Sequence, residues 1–244
     1  KLKGTLAAPL FTGELNSHSI VINDQEFTDI TGNLESSGGK VNRLRGSARQ
    51  GGGLFGIDML IDFTDALLQG NVEVKGGNMK SLLLLAGQDY DIAGDLDGSI
   101  IVNKEGKGTG ISVGGQIRNC SIRGISYPSA VFDVFIHKDI LNILKVRIDE
   151  VNGGFLAAQG TIDFRNRNLA LDAFCSEADA SVLNAFIKAP IDFGGKMSFA
   201  AQVGGTIENP AANASLSVSQ GQIADTPFDN LYGMFILRDD LYNI

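Results

Sequence analysis

The chain contains no Trp, only five Pro, two Cys and two His among 244 residues, and each scarcity closes off a class of protein. Cys120 and Cys175 are too few and too far apart for a disulfide framework or a metal knuckle, and they read as small buried apolar residues. His18 and His137 have no Cys, Ser or carboxylate partner recurring at a ligand-like spacing, which leaves no metal ligand set, general base or triad to nominate. Twenty Lys and Arg stand against 28 Asp and Glu, a net charge of −8 without clustered cations, and this excludes nucleic acid as a partner. No run of 18 apolar residues is present to cross a membrane as a helix. Few Pro, 31 Gly and 43% hydrophobic residues place the chain among folded globular proteins, away from collagen and disordered chains.

The remaining candidates for chemistry have plain explanations. Asp89 with Asp91, Asp95 with Asp97, and Asp239 with Asp240 lie among glycines and turn residues, as solvated loop acids do. GKGTGISVGG at Gly106 to Gly115 lacks the spacing of a phosphate cradle and leads into no helical pattern. The sequons at Asn119 and Asn213 match by letter alone. The expectation is a protein without a catalytic residue, a metal or a cofactor, and not an enzyme.

What the sequence does contain is repetition. GTLAAP at Gly4 and GTIENP at Gly205 stand 205 − 4 = 201 residues apart, and Phe27 and Phe228, then Gly32 and Gly233, keep that interval. GLFGIDMLIDF, ending at Phe63, matches GFLAAQGTIDF, ending at Phe164, with 164 − 63 = 101. GSI at Gly98 to Ile100 reads as a middle copy of the first motif, and SIRGISYP at Ser121 to Pro128 as a degenerate middle copy of its second part. Modules of about a hundred residues that share one core behave as a quasi-one-dimensional array. The repeats divide the chain into a first module at 1–93, a second at 94–200 and the start of a third at 201–244, on one continuous sheet.

Inside each module the period is two. Ile57, Met59, Ile61 and Phe63 alternate with Asp58, Leu60 and Asp62, and Val72 and Val74 alternate with Asn71, Glu73 and Lys75. Phe199, Ala201, Val203, Gly205 and Ile207 share one face, and Ala214, Leu216 and Val218 face away from Ser215, Ser217 and Ser219. This is the pattern of antiparallel strands covered on a single side, with Gly-Gly, Asn, Asp and Ser clusters as turns. Gly76 to Gly87 and Ser176 to Pro190 break it and predict short helices covering the sheet. The fold class is therefore all-β with one or two short helices on a long antiparallel sheet. The residues expected on its apolar face are Ile57, Met59, Ile61, Phe63, Val72, Val74, Ile111, Val113, Ile162, Phe164, Phe199, Val203, Ile207, Leu216 and Val218.

The strand ending in Gly205-Thr206-Ile207, the Asn209-Pro210 that follows, the alternating strand and the Phe228-Asp229-Asn230-Leu231-x-Gly233 motif resemble the repeating module of the TamB family. These are AsmA-like proteins, the inner-membrane component of a translocation and assembly module in diderm bacteria. The resemblance covers nearly the whole chain, counting GTLAAP, the IDF strands and the helix with Ala180 to Phe186. It implies a sheet curled into an open half-pipe, or β-taco, whose apolar interior, the face set out above, binds phospholipid acyl chains between the two membranes. It implies a periplasmic location within an inner-membrane-anchored parent, and fits a chain that begins with Lys1 as a piece of a longer protein. It also implies, through that parent, an outer-membrane barrel partner of the TamA/BamA type. Two other readings stay open on the residues alone: a scaffold that assists barrel or autotransporter assembly by pairing its sheet edge with a client strand, and a closed β-solenoid with a filled core.

Overall fold

The computed structural model describes residues 2–5, 8–37, 41–62, 67–105, 108–181, 193–223, 226–238 and 241–243, with side chains for residues 10–36, 42–62, 67–104, 108–181, 193–223 and 226–237. The described chain is almost entirely strand: β1 Leu2–Thr5, β2 Ala8–Ile22, β3 Gln25–Ser37, β4 Val41–Gln50, β5 Gly53–Asp62, β6 Leu67–Asn78, β7 Ile92–Glu105 and β8 Gly108–Ile122. They are followed by β9 Ile125–His137, β10 Ile140–Asp149, β11 Phe155–Asp163, β12 Asn168–Asp179, β13 Phe193–Gly205, β14 Pro210–Ile223, β15 Thr226–Arg238 and β16 Leu241–Asn243. One α-helix, α1 at Met79–Leu85, is present among the described residues. Hydrogen-bonded order along the sheet is chain order, and the sheet is open.

Turn chemistry explains this order. Asn23 and Asp24, at φ 47° and 60°, close the β2–β3 hairpin in two residues, a turn whose twist matches that of the strands it joins. Gly51 and Gly52 do the same between β4 and β5, where Gly51 has φ 57°. Antiparallel neighbours joined this tightly leave no crossover.

The chain forms two compact units, one of residues 1–120 with 135–138 and the other of 121–134 with 139–244. In the first, register aligns alternating residues into rows perpendicular to the strands. Leu15, Gly32, Gly46, Ile57, Val72 and Ile100 are successive partners, and so are Gly13, Leu34, Leu44, Met59, Gly70 and Val102. In the second, Ile143, Gly160, Leu171, Val203, Ala212 and Leu237 form one row, and Val146, Ala158, Ala173, Ala201, Ala214 and Phe235 another. Each unit thus has a face that is apolar from strand to strand.

The sequence repeat is a structural one. The pairs Gly4↔Pro9 and Gly205↔Pro210 are the same pair 201 residues apart. Gly98, expected as the middle copy, instead sits inside β7 opposite Val74. The interval of 101 places the middle copy of Gly4 at Glu105, because the hairpin positions, not the Gly-Ser-Ile triplet, set the register. SIRGISYP keeps its aromatic after all: β9 opens at Ile125 as β15 opens at Thr226, which puts Tyr127 in the place of Phe228.

The two predicted helices fare differently. α1 forms where expected, capped by the Asn78 side chain, which accepts from the Ser81 N–H at 3.0 Å. Its C-terminal end receives a hydrogen bond from the Asn23 amide to the Leu85 carbonyl, 3.0 Å long, so the β2–β3 turn and the helix tie together. The second prediction is corrected at its start, since Ser176–Asp179 is the end of β12, held to β13 through Ala178↔Met197. Residues 182–190 of that prediction lie outside the described residues.

Candidate functional site

The candidate site is the apolar face. Ile57, Met59, Ile61, Val72 and Val74 share it in the first unit: Ile57 is the partner of Val72, and Met59, Ile61 and Val74 are the partners of Gly70, Leu68 and Phe55. Ile111 and Val113 join by alternation from Gly115, because the Leu96 Cδ1 stands 3.1 Å from where a Gly115 Cβ would lie. In the second unit Ile162 pairs with Leu169, Phe199 with Leu216, Val203 with Ala212 and Val218 with Met197. Phe63 lies outside the described residues.

Two expected members do not belong to the strand face. β11 ends at Asp163, and Phe164 falls in the turn that follows, 54% exposed. The cause is Asp163, whose carboxylate accepts from the Arg165 and Asn166 N–H groups at 3.0 and 2.9 Å and folds the chain back. Those bonds, with Asn166 first, hold its pKa below the usual carboxylate range. β13 ends at Gly205, at φ 85°, and Ile207 is in the connection to β14, where its N–H donates to the Arg167 carbonyl at 2.8 Å.

Burial along the face is graded. Val74, Ile117, Cys120, Cys175, Ala178, Met197 and Val218 are buried, at 7% exposure or less, while Ile57, Met59, Ile61 and Val72 are half-buried. In the first unit the buried Val74 lies at the end of the strands that carries the Gly51–Gly52 turn and α1. Here Phe27 and Phe55 meet edge to face with centroids 5.5 Å apart, across the small Ala48 of the strand between them. The Cys175 thiol donates to the Met197 carbonyl at 3.3 Å. Burial pushes both thiols up, so they stay protonated and inert, as expected of small apolar residues.

The buried positions expose a feature that period two missed. Val74 and Gly77, Ile117 and Cys120, Cys175 and Ala178, and Val218 and Gly221 are buried three apart. Between each pair sits a residue with positive φ: Gly76, Asn119, Glu177 and Gln220, at 64°, 49°, 52° and 49°. One left-handed residue resets the alternation, so the strand turns two further side chains to the same side. The signal was present in the sequence only at Gly76.

The opposite face is polar and ion-paired. Arg43 donates to Asp58 through two nitrogens at 2.9 and 2.7 Å, and Arg45 approaches the same carboxylate at 3.4 Å. The Arg43 hydrogen bond lowers the Asp58 pKa. Asp97, expected in a loop with Asp95, is in β7, where it accepts from the Gly76 N–H at 2.7 Å and pairs with Arg118 at 2.8 Å. Asp89 and Asp91 lie exposed in the α1–β7 connection, and Asp239 and Asp240 are outside the described residues. In the second unit the face opposite the apolar rows carries Phe174 and Met234, 40% and 70% exposed, beside a depression of about 500 Å³ shared with Asp172 and Gln202. Among the described residues, no three His, Cys, Asp or Glu side chains stand together as a metal ion requires, and no helix is long and apolar enough to cross a membrane.

These features define an all-β repeat protein with an open antiparallel sheet. No family model, no curated protein and no solved structure matches the chain.

Proposed function

We propose that the chain is a lipid-conducting segment of a periplasmic bridge between inner and outer membranes, non-enzymatic and resembling the TamB family, in which the sheet curls lengthwise into a half-pipe around the apolar face. The observation that carries this reading is the registered apolar rows, which run from strand to strand without a charged interruption at the level of Ile57 and Val72 or of Leu171 and Val203. The convergence of Phe27 and Phe55 over β4 supports curling towards this face.

The physical advantage is large. Each methylene exposed to water costs about 0.8 kcal/mol, so two acyl chains of about 15 methylenes each cost on the order of 24 kcal/mol to carry bare through an aqueous gap. A trough lined by similar aliphatic residues removes most of that barrier and presents no single deep well. A lipid can then slide without nucleotide hydrolysis along the trough itself.

The test places a photoreactive lipid against the chain purified from a bacterial envelope. Ile61→Asp and Ile162→Asp are expected to reduce crosslinking several-fold, while Thr161→Asp on the polar face is expected to leave it near wild type. Equal crosslinking in all of these, with the fold intact by circular dichroism, removes the assignment and leaves a side-chain-filled core as the better account.

A further inference from the structure

The two apolar rows of the first unit have a third beside them, at the strand ends away from the Gly51–Gly52 turn. Phe11, Ser36, Asn42, Ile61, Leu68 and Lys104 are its successive partners. Residues directly opposite each other in antiparallel strands point to the same side of the sheet, so Lys104 stands on the face of Ile61 and Leu68. In the three rows it is the one charged residue.

Lys104 is half-buried, and no described carboxylate pairs with it. Such a side chain lays its methylenes along apolar surface and keeps the ammonium at the water boundary. The second unit does without this charge. Ile61 and Leu68, displaced by 101, become Ile162 and Leu169, with Leu141 beside them, and Lys104 falls at Gly205, since 104 + 101 = 205. A repeat that is built without the cation points to a use for it in the first unit other than folding.

The distance to the buried end of the face is also informative. From Leu68 to Val74 the strand advances by 74 − 68 = 6 residues, or about 20 Å. An extended acyl chain of the size considered above has a similar length. We propose, on the lipid-conducting reading above, that Lys104 receives the phosphate of a two-chain phospholipid whose acyl chains lie along the strands over Ile61, Met59 and Ile57 towards Val74. Charge and length together select this occupant: the cation meets the anionic head while the tails end where the face closes. Because the ammonium remains at the water boundary, the attraction is shallow and lets the lipid move on. The site therefore sorts phosphate-bearing lipids from neutral ones.

The test is native mass spectrometry of the 244-residue chain in mild detergent with equal amounts of phosphatidic acid and diacylglycerol carrying the same acyl chains. The wild type is expected to retain phosphatidic acid several-fold over diacylglycerol. Lys104→Met, which keeps the stem and removes the charge, is expected to bring the two to near equality, and Lys104→Arg to keep the preference. Lys75→Met makes the same change in charge on the opposite face, since Lys75 is opposite Leu54, and is expected to leave the preference intact. Both lipids bound, with the same ratio in the wild type and Lys104→Met, overturns the headgroup site while the trough stands. No bound lipid of either kind overturns the trough and the site together. Inorganic phosphate bound alone, and lost in Lys104→Met, overturns the choice of a lipid in favour of the free ion.

Discussion

The two units carry the same buried knot built from different residues. Phe55, Val74, Gly77, Leu96 and Ile117 in the first correspond, each displaced by 101, to Leu156, Cys175, Ala178, Met197 and Val218 in the second, and the strand pairings match: Phe55↔Val74 with Leu156↔Cys175, and Gly77↔Leu96 with Ala178↔Met197. Where the first unit has a large Phe55 it has a bare Gly77, and where the second has a smaller Leu156 it has a methyl at Ala178. A Cβ at Gly77 would overlap the Val74 Cγ1 and stand 3.3 Å from both the Phe55 ring and Leu82. Close packing is thus conserved between the repeats while side-chain identity is not, as expected if volume and pattern matter more than residue type.

The strongest way to break the comparison is Met197→Ala. Met197 is 2% exposed, and its loss is expected to cost about 2–5 kcal/mol in urea denaturation. Leu96→Ala, at the half-buried counterpart, is expected to cost clearly less. Equal losses would contradict the graded burial of the two knots.

Next comes Gly77→Ala, expected to destabilise by about 1–3 kcal/mol through overpacking. The companion change Val74→Cys imports the second unit's solution at the atom the new Cβ would overlap, so the double variant is expected to be more stable than the sum of the single changes predicts. Additive costs in the double-mutant cycle would show that the two knots are packed on different principles.

Glu177 and Gly76 sharpen the comparison at the level of backbone. Both have positive φ, 52° and 64°, and only glycine takes that conformation without strain. Glu177→Gly is expected to stabilise by up to about 1 kcal/mol, because the exposed pair with Lys196 that it removes is worth little. Thermal denaturation reads this directly, and a lower midpoint would mean that the ion pair outweighs the strain.

The smallest effect concerns the polar face. Arg43 holds the Asp58 carboxyl below its ordinary pKa of 3.8. A carboxylate depressed in the folded state stabilises above its unfolded pKa, and that contribution is lost as the pH falls through the folded value. Stability is therefore expected to decline below about pH 4. Asp58→Asn should flatten that decline slightly, as compared by urea midpoints at pH 3 and pH 6; an unchanged profile would place the acid sensitivity elsewhere.

The sequence made the strand class, the interval of 201 and the helix at α1 legible because period-two alternation, its interruption at Gly76 to Gly87 and hairpin glycines act locally. Strand ends were less visible. Ile207 and Phe164 continue the alternation by letter, but Gly205 and the Asp163 turn remove them from it, and both effects depend on backbone conformation. Parity failed where a non-glycine residue takes positive φ, as at Asn119, Glu177 and Gln220, since nothing in those side chains announces the conformation. Phe174 and Met234, on the face opposite the apolar rows, were passed over because an apolar residue on a solvated face has no local signature.

The two-residue turns described above also bear on how the molecule acquires its structure. When every strand pairs with the next one along the chain, the loops to be closed are short and little entropy is lost before each new pairing is rewarded. A β-hairpin forms in about 1–10 μs, and each added strand finds a template already in place. Assembly can therefore begin at any hairpin, including one that has just left the ribosome, and spread outward one strand at a time. An unfinished product always presents a raw β-edge, so speed of completion, more than final stability, guards such a chain against aggregation during synthesis.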